Sequence, residues 1–417
     1  MKILHTSDWH IGRSLHGRRR HAEFERFFDW LIECIRSEGI DVLLVAGDIF
    51  DTTTPSNQAQ ELYYHFLCRV AATGCRHVVI IAGNHDSPSL LNAPRGILRA
   101  LNVHVIGCMA ETPADEVVVL DDVEGRPRLI VCAVPYLRDR DIRRAEAGET
   151  IEDKDRKLVA GIREHYRLVA EAAVSLASTQ AAMAEKIPII AMGHLFVSGG
   201  QTGQGDGVRE LYVGALGQVR ADILPDCFDY LALGHLHAAQ RVMGSDVHRY
   251  CGAPLPMSFG EAGQKKIVLV ITGDDRGMTV EEKVVPCFQR LATLAGDWGA
   301  ISGGITALKD EGVPVWLEVL YHGDELLADL QERVRELTGA TALEVLRIKD
   351  LRLAAKNMRG DVGDETLDDL EVGEVFGRCL LAHRIPPGQQ EELMTLFQET
   401  VNSLSDESVS KDGRGRL

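Results

Sequence analysis

A chain of 417 residues is longer than one hydrophobic core ordinarily serves, so two or three domains are expected. With 45% hydrophobic and 26% charged residues it reads as globular rather than disordered, and no apolar run approaches the length of a membrane span. The net charge of −17 argues against indiscriminate nucleic-acid binding, since phosphate contacts draw on Lys and Arg, but it leaves room for a local basic face.

The nine cysteines are scattered without a C-x-x-C pair, which points to reduced, buried thiols rather than disulfides or a zinc site. The opening MKILHTS reads directly as a strand without a basic leader, so a cytoplasmic protein is expected. That first strand, ILHTSDWH, ends on Asp8 and His10. Helical periodicity follows over residues 19–38 through Phe24, Phe27, Phe28, Leu31, Ile32 and Ile35, closing near Gly39. Val42, Leu43, Leu44, Val45 and Ala46 then form an apolar run with no polar alternation, as in a parallel strand covered on both faces. Gly47 turns the chain, and Asp48 lands at the carboxyl edge, where open α/β sheets bind ligands.

A helix over residues 58–73, a strand over 78–82 leading into GNHD, a helix over 90–101 and a strand over 103–106 complete a βαβαβ series, hence a mainly parallel, layered α/β core. A hairpin is expected over 117–134, then a charged stretch and a long helix over 151–184. Strands at 187–192 and 230–233 run into His194 and into the pair His235 and His237, with a Gly-rich loop (199–207) between them. Strands at 249–251 and 266–271 close the layer, and a seam is expected at 273–277. Beyond it, strands at 315–321 and 342–349 flank a helix over 325–337, a small α+β domain. Residues 353–374 read as an acidic linker, 375–383 and 389–404 as two short helices, and 405–417 as a disordered tail. The expected domains are therefore 1–275, 276–352 and 353–417.

Five strand ends thus carry Asp8, His10, Asp48, Asn84, His194, His235 and His237. Two carboxylates, four imidazoles and an amide are too many donors for one ion and suit two with a shared ligand. Asp48 is the natural bridge, because its two oxygens can reach separate cations. Mixed oxygen and nitrogen donors suit Mn²⁺, Fe²⁺ or Zn²⁺. The spacings Asp8/His10 and His235/His237 place each pair on one side of an extended segment. Two such ions would hold a phosphoester, activate a water and stabilise in-line displacement. His85 would serve as the acid for the leaving oxygen, with Asp86 orienting its ring. Taken singly, a Gly-Asp turn is ordinary turn chemistry and a lone His such as His5 or His104 is an ordinary polar residue; the recurrence of the pattern at five strand ends carries the reading. The basic clusters around Arg18, Arg19 and Arg20 and at Arg138, Arg140, Arg143 and Arg144 are solvated surface when taken alone.

The motifs D-x-H (Asp8, His10), G-D-x-x-D (Gly47, Asp48, Asp51), G-N-H-D (residues 83–86), G-H (His194) and G-H-x-H (residues 234–237) resemble the signature of the calcineurin-like metallophosphoesterases. Longer stretches, including VAGDIFDTTTPS, IIAGNHDSPSLLN and YCGAPLPMSFGE, are similar to the bacterial nuclease subunits within that superfamily over the first two-thirds of the chain. Where this chain has Cys251 and Ala253, such proteins commonly carry a small hydroxylated residue, a departure outside the metal set. The resemblance implies a fold of two packed mixed β-sheets flanked by helices. It implies one Mn²⁺ held by Asp8, His10, Asp48 and His237, a second by Asp48, Asn84, His194 and His235, and His85 as the catalytic histidine. It also implies a capping domain that positions DNA, and C-terminal helices that bind the coiled-coil base of an ABC-type ATPase. A homodimer would act on DNA ends and hairpins, as exonuclease and endonuclease in repair, recombination and replication, in the cytoplasm at the nucleoid. Arg18, Arg19, Arg138 and Arg140 are the candidate DNA contacts. The alternatives are a phosphoesterase acting on phosphoproteins or nucleotides, and a non-catalytic interaction protein. The appended domain speaks against the first, and the intact donor set with His85 against the second.

Overall fold

The computed structural model describes residues 1–143, 149–181, 186–198, 219–220, 223–274, 277–323 and 329–351, with single positions at 325 and 327 and short pieces between 373 and 398. By its contacts the chain forms two compact units: Met1–Arg13, Phe24–Thr53 and Ala59–Pro286 in the first, and Ser14–Glu23, Thr54–Gln58 and the chain from Cys287 onward in the second.

In the first unit, parallel strands Lys2–Thr6, Val42–Ala46, His77–Ile81 and Val103–Ile106 lie in sequence order, and the antiparallel pair Ile267–Asp274 and Gly277–Val284 extends the Lys2–Thr6 edge to give six strands. A second six-stranded sheet runs Gln240–Arg241, His248–Tyr250, Tyr230–Gly234, Ile189–His194, Pro127–Ala133, Val117–Asp121, with parallel pairing through its middle. One face of each sheet meets the other: Val42, Leu44, Ala46, Val79 and Ile81 from the first pack with Leu129, Val131, Ile190, Met192 and Ala232 from the second. The outer face of the second sheet is covered by the long helix Ile151–Ala181 through Leu158, Ile162, Tyr166, Val169 and Ala173. Beside the first sheet, helices His21–Glu38 and Asn57–Ala71 bring Phe27, Phe28 and Phe66 around the fully buried Trp9, at centroid distances of 6.4, 5.1 and 5.3 Å. Burial on both faces is why the central strands show no polar alternation. The α/β class and the layered, two-sheet core read from the sequence are the ones observed.

Two local expectations change. The helix expected over 90–101 is broken into Pro88–Asn92 and Arg95–Arg99, because Pro94 has no N–H to continue a helix; Ser87 caps the first piece through Leu90 N, 3.4 Å from its Oγ. The seam expected at 273–277 falls between two paired strands: Gly277, at φ 122°, opens the strand Gly277–Val284, which pairs along its whole length with Ile267–Asp274, and the first unit continues to Pro286.

The second unit holds strands Arg290–Gly296, Val315–Tyr321 and Leu343–Asp350 in a parallel three-stranded sheet. The crossovers are helices Trp298–Glu311 and Leu330–Thr338, so this α+β piece is a second βαβαβ whose first strand and helix lay outside the sequence reading. Asp297 caps the first helix, accepting from Ala300 N at 2.8 Å, and Gly312 at φ 68° ends it. Ile301, Ile305, Val315, Leu317, Val319 and Val334 make its core. The expected Gly-rich loop, most of the acidic linker and C-terminal helices, and the tail lie outside the described residues, though Phe376 and Phe397 stack with centroids 4.0 Å apart.

Candidate metal centre

The carboxyl ends of the strands meet at one rim, and every donor named from the sequence stands there. His10 Nε2 lies 3.2 Å from His237 Nε2 and 3.5 Å from Asp48 Oδ2. On the other side of Asp48, the same Oδ2 is 3.3 Å from His194 Nε2. Asn84 Oδ1 is 3.1 Å from both His194 Nε2 and His235 Nδ1, and the backbone N–H of His235 donates to Asp8 Oδ1 at 2.9 Å. These contacts form one unbroken chain through all seven residues. Asp8, His10, Asp48, His194, His235 and His237 are each at most 8% exposed.

Backbone conformation aims these groups. Asp8, His10, Asp48 and His235 all adopt positive φ, at 52°, 48°, 49° and 102°, a region that non-glycine residues seldom occupy and that surrounding structure must impose. Two bonds impose it between neighbouring strand ends: Asp8 N donates to Gly47 O and His10 N to Asp48 O, both at 3.0 Å. The glycines of the motifs are explained by close approach. A Cβ on Gly83 would stand 2.1 Å from Asp48 Oδ1, and one on Gly234 would stand 1.8 Å from Ala46 O and 2.9 Å from His194 Nδ1.

The donor chemistry fits divalent cations. His194 donates Nδ1–H to Ala46 O at 2.9 Å, which leaves its Nε2 lone pair facing two further acceptors, Asn84 Oδ1 and Asp48 Oδ2. His10 Nδ1 is turned to Asp51 Oδ1 at 3.2 Å and His237 Nδ1 to Glu261 Oε1 at 3.5 Å, so two Nε2 lone pairs converge on each other. Acceptors brought this close call for positive charge among them. Before any cation is bound a proton supplies it: burial lowers His194, but the Asp48 and Asp8 carboxylates carry it up to about 9. Burial raises Asp48 while His194, His85 and His10 outweigh it and hold it well below the ordinary carboxylate range. Burial depresses His10 to about 4 and His235 to about 3, so both rings are neutral and able to coordinate.

His85 is half-buried at the mouth of this group. Its N–H donates to Asp48 Oδ1 at 2.9 Å and its ring Nδ1 to the Asp51 carbonyl oxygen at 2.8 Å. Its ring is edge-on to His10, with centroids 4.8 Å apart. Asp86 stands elsewhere than the sequence reading put it. Its carboxylate accepts from Gly83 N, Ile49 N and Phe50 N at 2.8, 3.1 and 3.0 Å, so it pins the GNHD turn to the Asp48 loop and the Asp51 carbonyl takes over the orienting of the imidazole. Burial, with the Asp48 charge, pushes Asp86 up to about 6.

Of the candidate DNA contacts, Arg138 bonds through Nη2 to the Asp86 carbonyl at 3.2 Å and so belongs to the rim, while exposed Arg140 pairs with Asp141 at 3.7 Å. Arg18 and Arg19 lie on a short hairpin of the second unit, where Arg18 pairs with Glu344 at 3.2 Å. Several supporting groups escaped the sequence reading. Arg13 bonds Asp51 at 3.0 Å, Ser7 Oγ bonds Asp8 Oδ2 and stands 3.0 Å from Cys251 Sγ, and Lys266 pairs with Glu261. Ser7 is simply next to Asp8 in the chain, whereas the fold alone brings Arg13 to Asp51 and Ser7 to Cys251. Cys251, at a position read as outside the metal set, therefore reaches a metal-ligand candidate through one hydroxyl.

Comparison with known proteins agrees with this geometry. The family model described as calcineurin-like phosphoesterase matches residues 1–239, and one described as type 5 capsule protein repressor C-terminal domain matches residues 287–384. The chain is 37% identical over 410 residues to the SbcD component of the SbcCD nuclease of Escherichia coli strain K12, covering 98% of this chain and 99% of that protein. The SbcD proteins of Rhodobacter capsulatus and Bacillus subtilis are 39% and 36% identical over 269 and 274 residues, covering 63% and 65% of this chain and 64% and 66% of theirs.

Proposed function

The chain belongs to the calcineurin-like phosphoesterases, as an SbcD-type nuclease and metal-dependent phosphodiesterase, and from that premise we propose that it cleaves DNA backbone linkages with two Mn²⁺ ions. It would act as a double-strand exonuclease and a single-strand or hairpin endonuclease in repair, recombination and replication. The observation that carries the two-ion reading is Asp48. One of its oxygens lies 3.5 Å from His10 and 3.3 Å from His194, at the junction of two donor groups. Asp8, His10, Asp48 and His237 would hold one ion, and Asp48, Asn84, His194 and His235 the other. When bound, the ions supply an activated water and neutralise charge on the phosphate.

The chain's own residues do the rest. His85, with Nδ1–H committed to the Asp51 carbonyl, offers Nε2 to pass a proton to the departing nucleotide oxygen. Arg138, on the rim beside the GNHD turn, meets the phosphate backbone, with Arg140, Arg18 and Arg19 as further contacts. The domain expected over 276–352, whose own sheet lies within the unit that resumes at Cys287, acts as the DNA-capping domain, and the two C-terminal helices bind the coiled-coil base of an SbcC-type ABC ATPase, the stacked Phe376 and Phe397 being consistent with helices that pack as a pair. The nuclease works as a homodimer in the cytoplasm, on DNA at the nucleoid. Among the described residues no helix is long and apolar enough to cross a membrane.

The test is a Mn²⁺ assay comparing a labelled DNA hairpin with a small chromogenic phosphodiester, with and without the ATPase partner and ATP. Hairpin cleavage supports the reading. Cleavage of the small ester alone replaces it with a phosphoesterase of another substrate class.

A further inference from the structure

Glu261 is buried, in the turn Phe259–Glu261, yet it makes no use of a surface ion pair or a helix cap. Its Oε2 pairs with Lys266 Nζ, itself only 8% exposed and also 3.3 Å from the His237 carbonyl oxygen and 3.1 Å from Gln264 Oε1. Its Oε1 faces His237 Nδ1 at 3.5 Å, and each of these two buried atoms lacks any hydrogen bond of ordinary geometry. A buried carboxylate directed at one nitrogen of an imidazole fixes the N–H on that nitrogen and leaves the lone pair on the other. On His237 that other nitrogen is Nε2, the atom that meets His10 Nε2 at 3.2 Å.

The same device stands on the opposite side: Asp51 Oδ1 lies 3.2 Å from His10 Nδ1 and accepts from Arg13 Nη1 at 3.0 Å. Two carboxylates, each held by a basic side chain, therefore set two histidines so that both lone pairs enter one space. The Asp51 half comes with a sequence motif; the Glu261 half is made by a turn far along the chain.

We propose that Glu261, held by Lys266, is a positioning residue that fixes the tautomer and orientation of His237 and thereby tunes the affinity of the Asp8–His10–His237 ion over the Asn84–His194–His235 ion. The proposal rests on the two-ion reading above. Lys266 compensates the buried charge, so the pair, rather than Glu261 alone, is the unit.

The test uses the full-length chain and two readouts. In metal-free protein, ¹⁵N signals of the His237 ring report which nitrogen carries the proton; Mn²⁺ titration followed by dialysis and elemental analysis counts ions and their affinities. Wild type is expected with the proton on Nδ1 and two ions. E261Q is expected to mix the tautomers and weaken one ion by about tenfold to a hundredfold with the other unchanged, while E261D, which keeps the charge on a shorter arm, retains the tautomer with a smaller loss and serves if E261Q folds poorly. Variants that keep the wild-type tautomer and bind both ions at wild-type affinity overturn the role of Glu261. A wild-type chain that takes up no pair of ions overturns the site reading itself, so the two failures are told apart.

Discussion

The ring Nδ1 of His85 rests 2.8 Å from the main-chain oxygen of Asp51, so the orienting partner of this imidazole is a carbonyl fixed by the loop and carries no charge. A neutral acceptor holds Nδ1–H and sets the ring without binding it as an ion pair, leaving Nε2 as the position that carries the proton to be transferred. Replacing His85 by Gln removes that proton donor while the donors Asp8, Asp48, Asn84 and His194 stay in place. Turnover on a DNA hairpin should fall by about 10²–10⁴-fold, with manganese content by elemental analysis unchanged. Loss of metal together with activity would assign His85 to the ligand set instead.

Asp86, one residue on, has a different task, and stability measurements separate the two. Its carboxylate accepts three backbone N–H groups, from Gly83, Ile49 and Phe50. Asp86→Ala orphans three buried donors, which should destabilise the first unit by about 3 kcal/mol or more, at about 1–3 kcal/mol for each unsatisfied group. Urea unfolding reads this directly. If Asp86 served only to orient the His85 ring, the variant would unfold at the wild-type midpoint and lose activity alone.

The parts legible in the sequence are those with a local signature. An apolar run buried on both sides, such as Val42–Ala46, announces a central parallel strand, and a turn glycine followed by Asp48 or His194 marks its carboxyl end. All seven named donors are brought together because parallel strands put their carboxyl ends at one edge. What escaped was non-local. Glu261 and Lys266 carry no periodicity or spacing that ties them to His237, nor does Cys251 any that ties it to Ser7, and these partnerships exist only in the folded chain. The strand Gly277–Val284 escaped for another reason: Glu281, Glu282 and Lys283 make it polar on an exposed edge, so it has no hydrophobic pattern to read.

The motif glycines make a prediction that owes nothing to turn preference. Alanine at Gly83 would drive a methyl group against Asp48, and at Gly234 against the Ala46 carbonyl and the His194 ring. Both contacts are to rigid backbone or to donor groups, so neither can yield cheaply. Each substitution should lower stability by about 1–3 kcal/mol and reduce metal occupancy further than that loss explains, as seen by comparing thermal unfolding with ion content. Wild-type occupancy in a folded Gly83→Ala chain would show that the Asp48 loop is more pliant than its contacts imply.

Arg138 tests where the nucleic acid lies. It spends one N–H on the Asp86 carbonyl, and the remaining guanidinium edge is available to a phosphate at the rim. For Arg138→Ala, the slope of log affinity against log salt should shrink by about one, measured by fluorescence anisotropy with a labelled hairpin. The exposed Arg140, paired with Asp141 at 3.7 Å, should give a smaller change. Equal slopes for wild type and Arg138→Ala would place the backbone path away from this loop.

Acid stability should report on His5, which lies within the Lys2–Thr6 strand, fully buried, with Nδ1 3.0 Å from the Tyr230 hydroxyl. Burial drives its pKa down to about 3 from the ordinary 6.5, partly opposed by the Leu233 backbone and reinforced by Arg249. The folded ring therefore stays neutral while the unfolded one takes a proton below pH 6.5. More protons on the unfolded side mean that stability falls with acid, by about 1.4 kcal/mol per pH unit. The group contributes nothing to this slope above pH 7 and reaches its limit near pH 3. His5→Gln keeps a hydrogen-bonding partner for Tyr230 and cannot titrate, so urea unfolding of the two chains at pH 7.5 and pH 5.0 should show the wild type losing about 2 kcal/mol more than the variant. Parallel losses in both chains would mean that His5 is protonated in the fold, and that the space between the two sheets is wetter than its packing indicates.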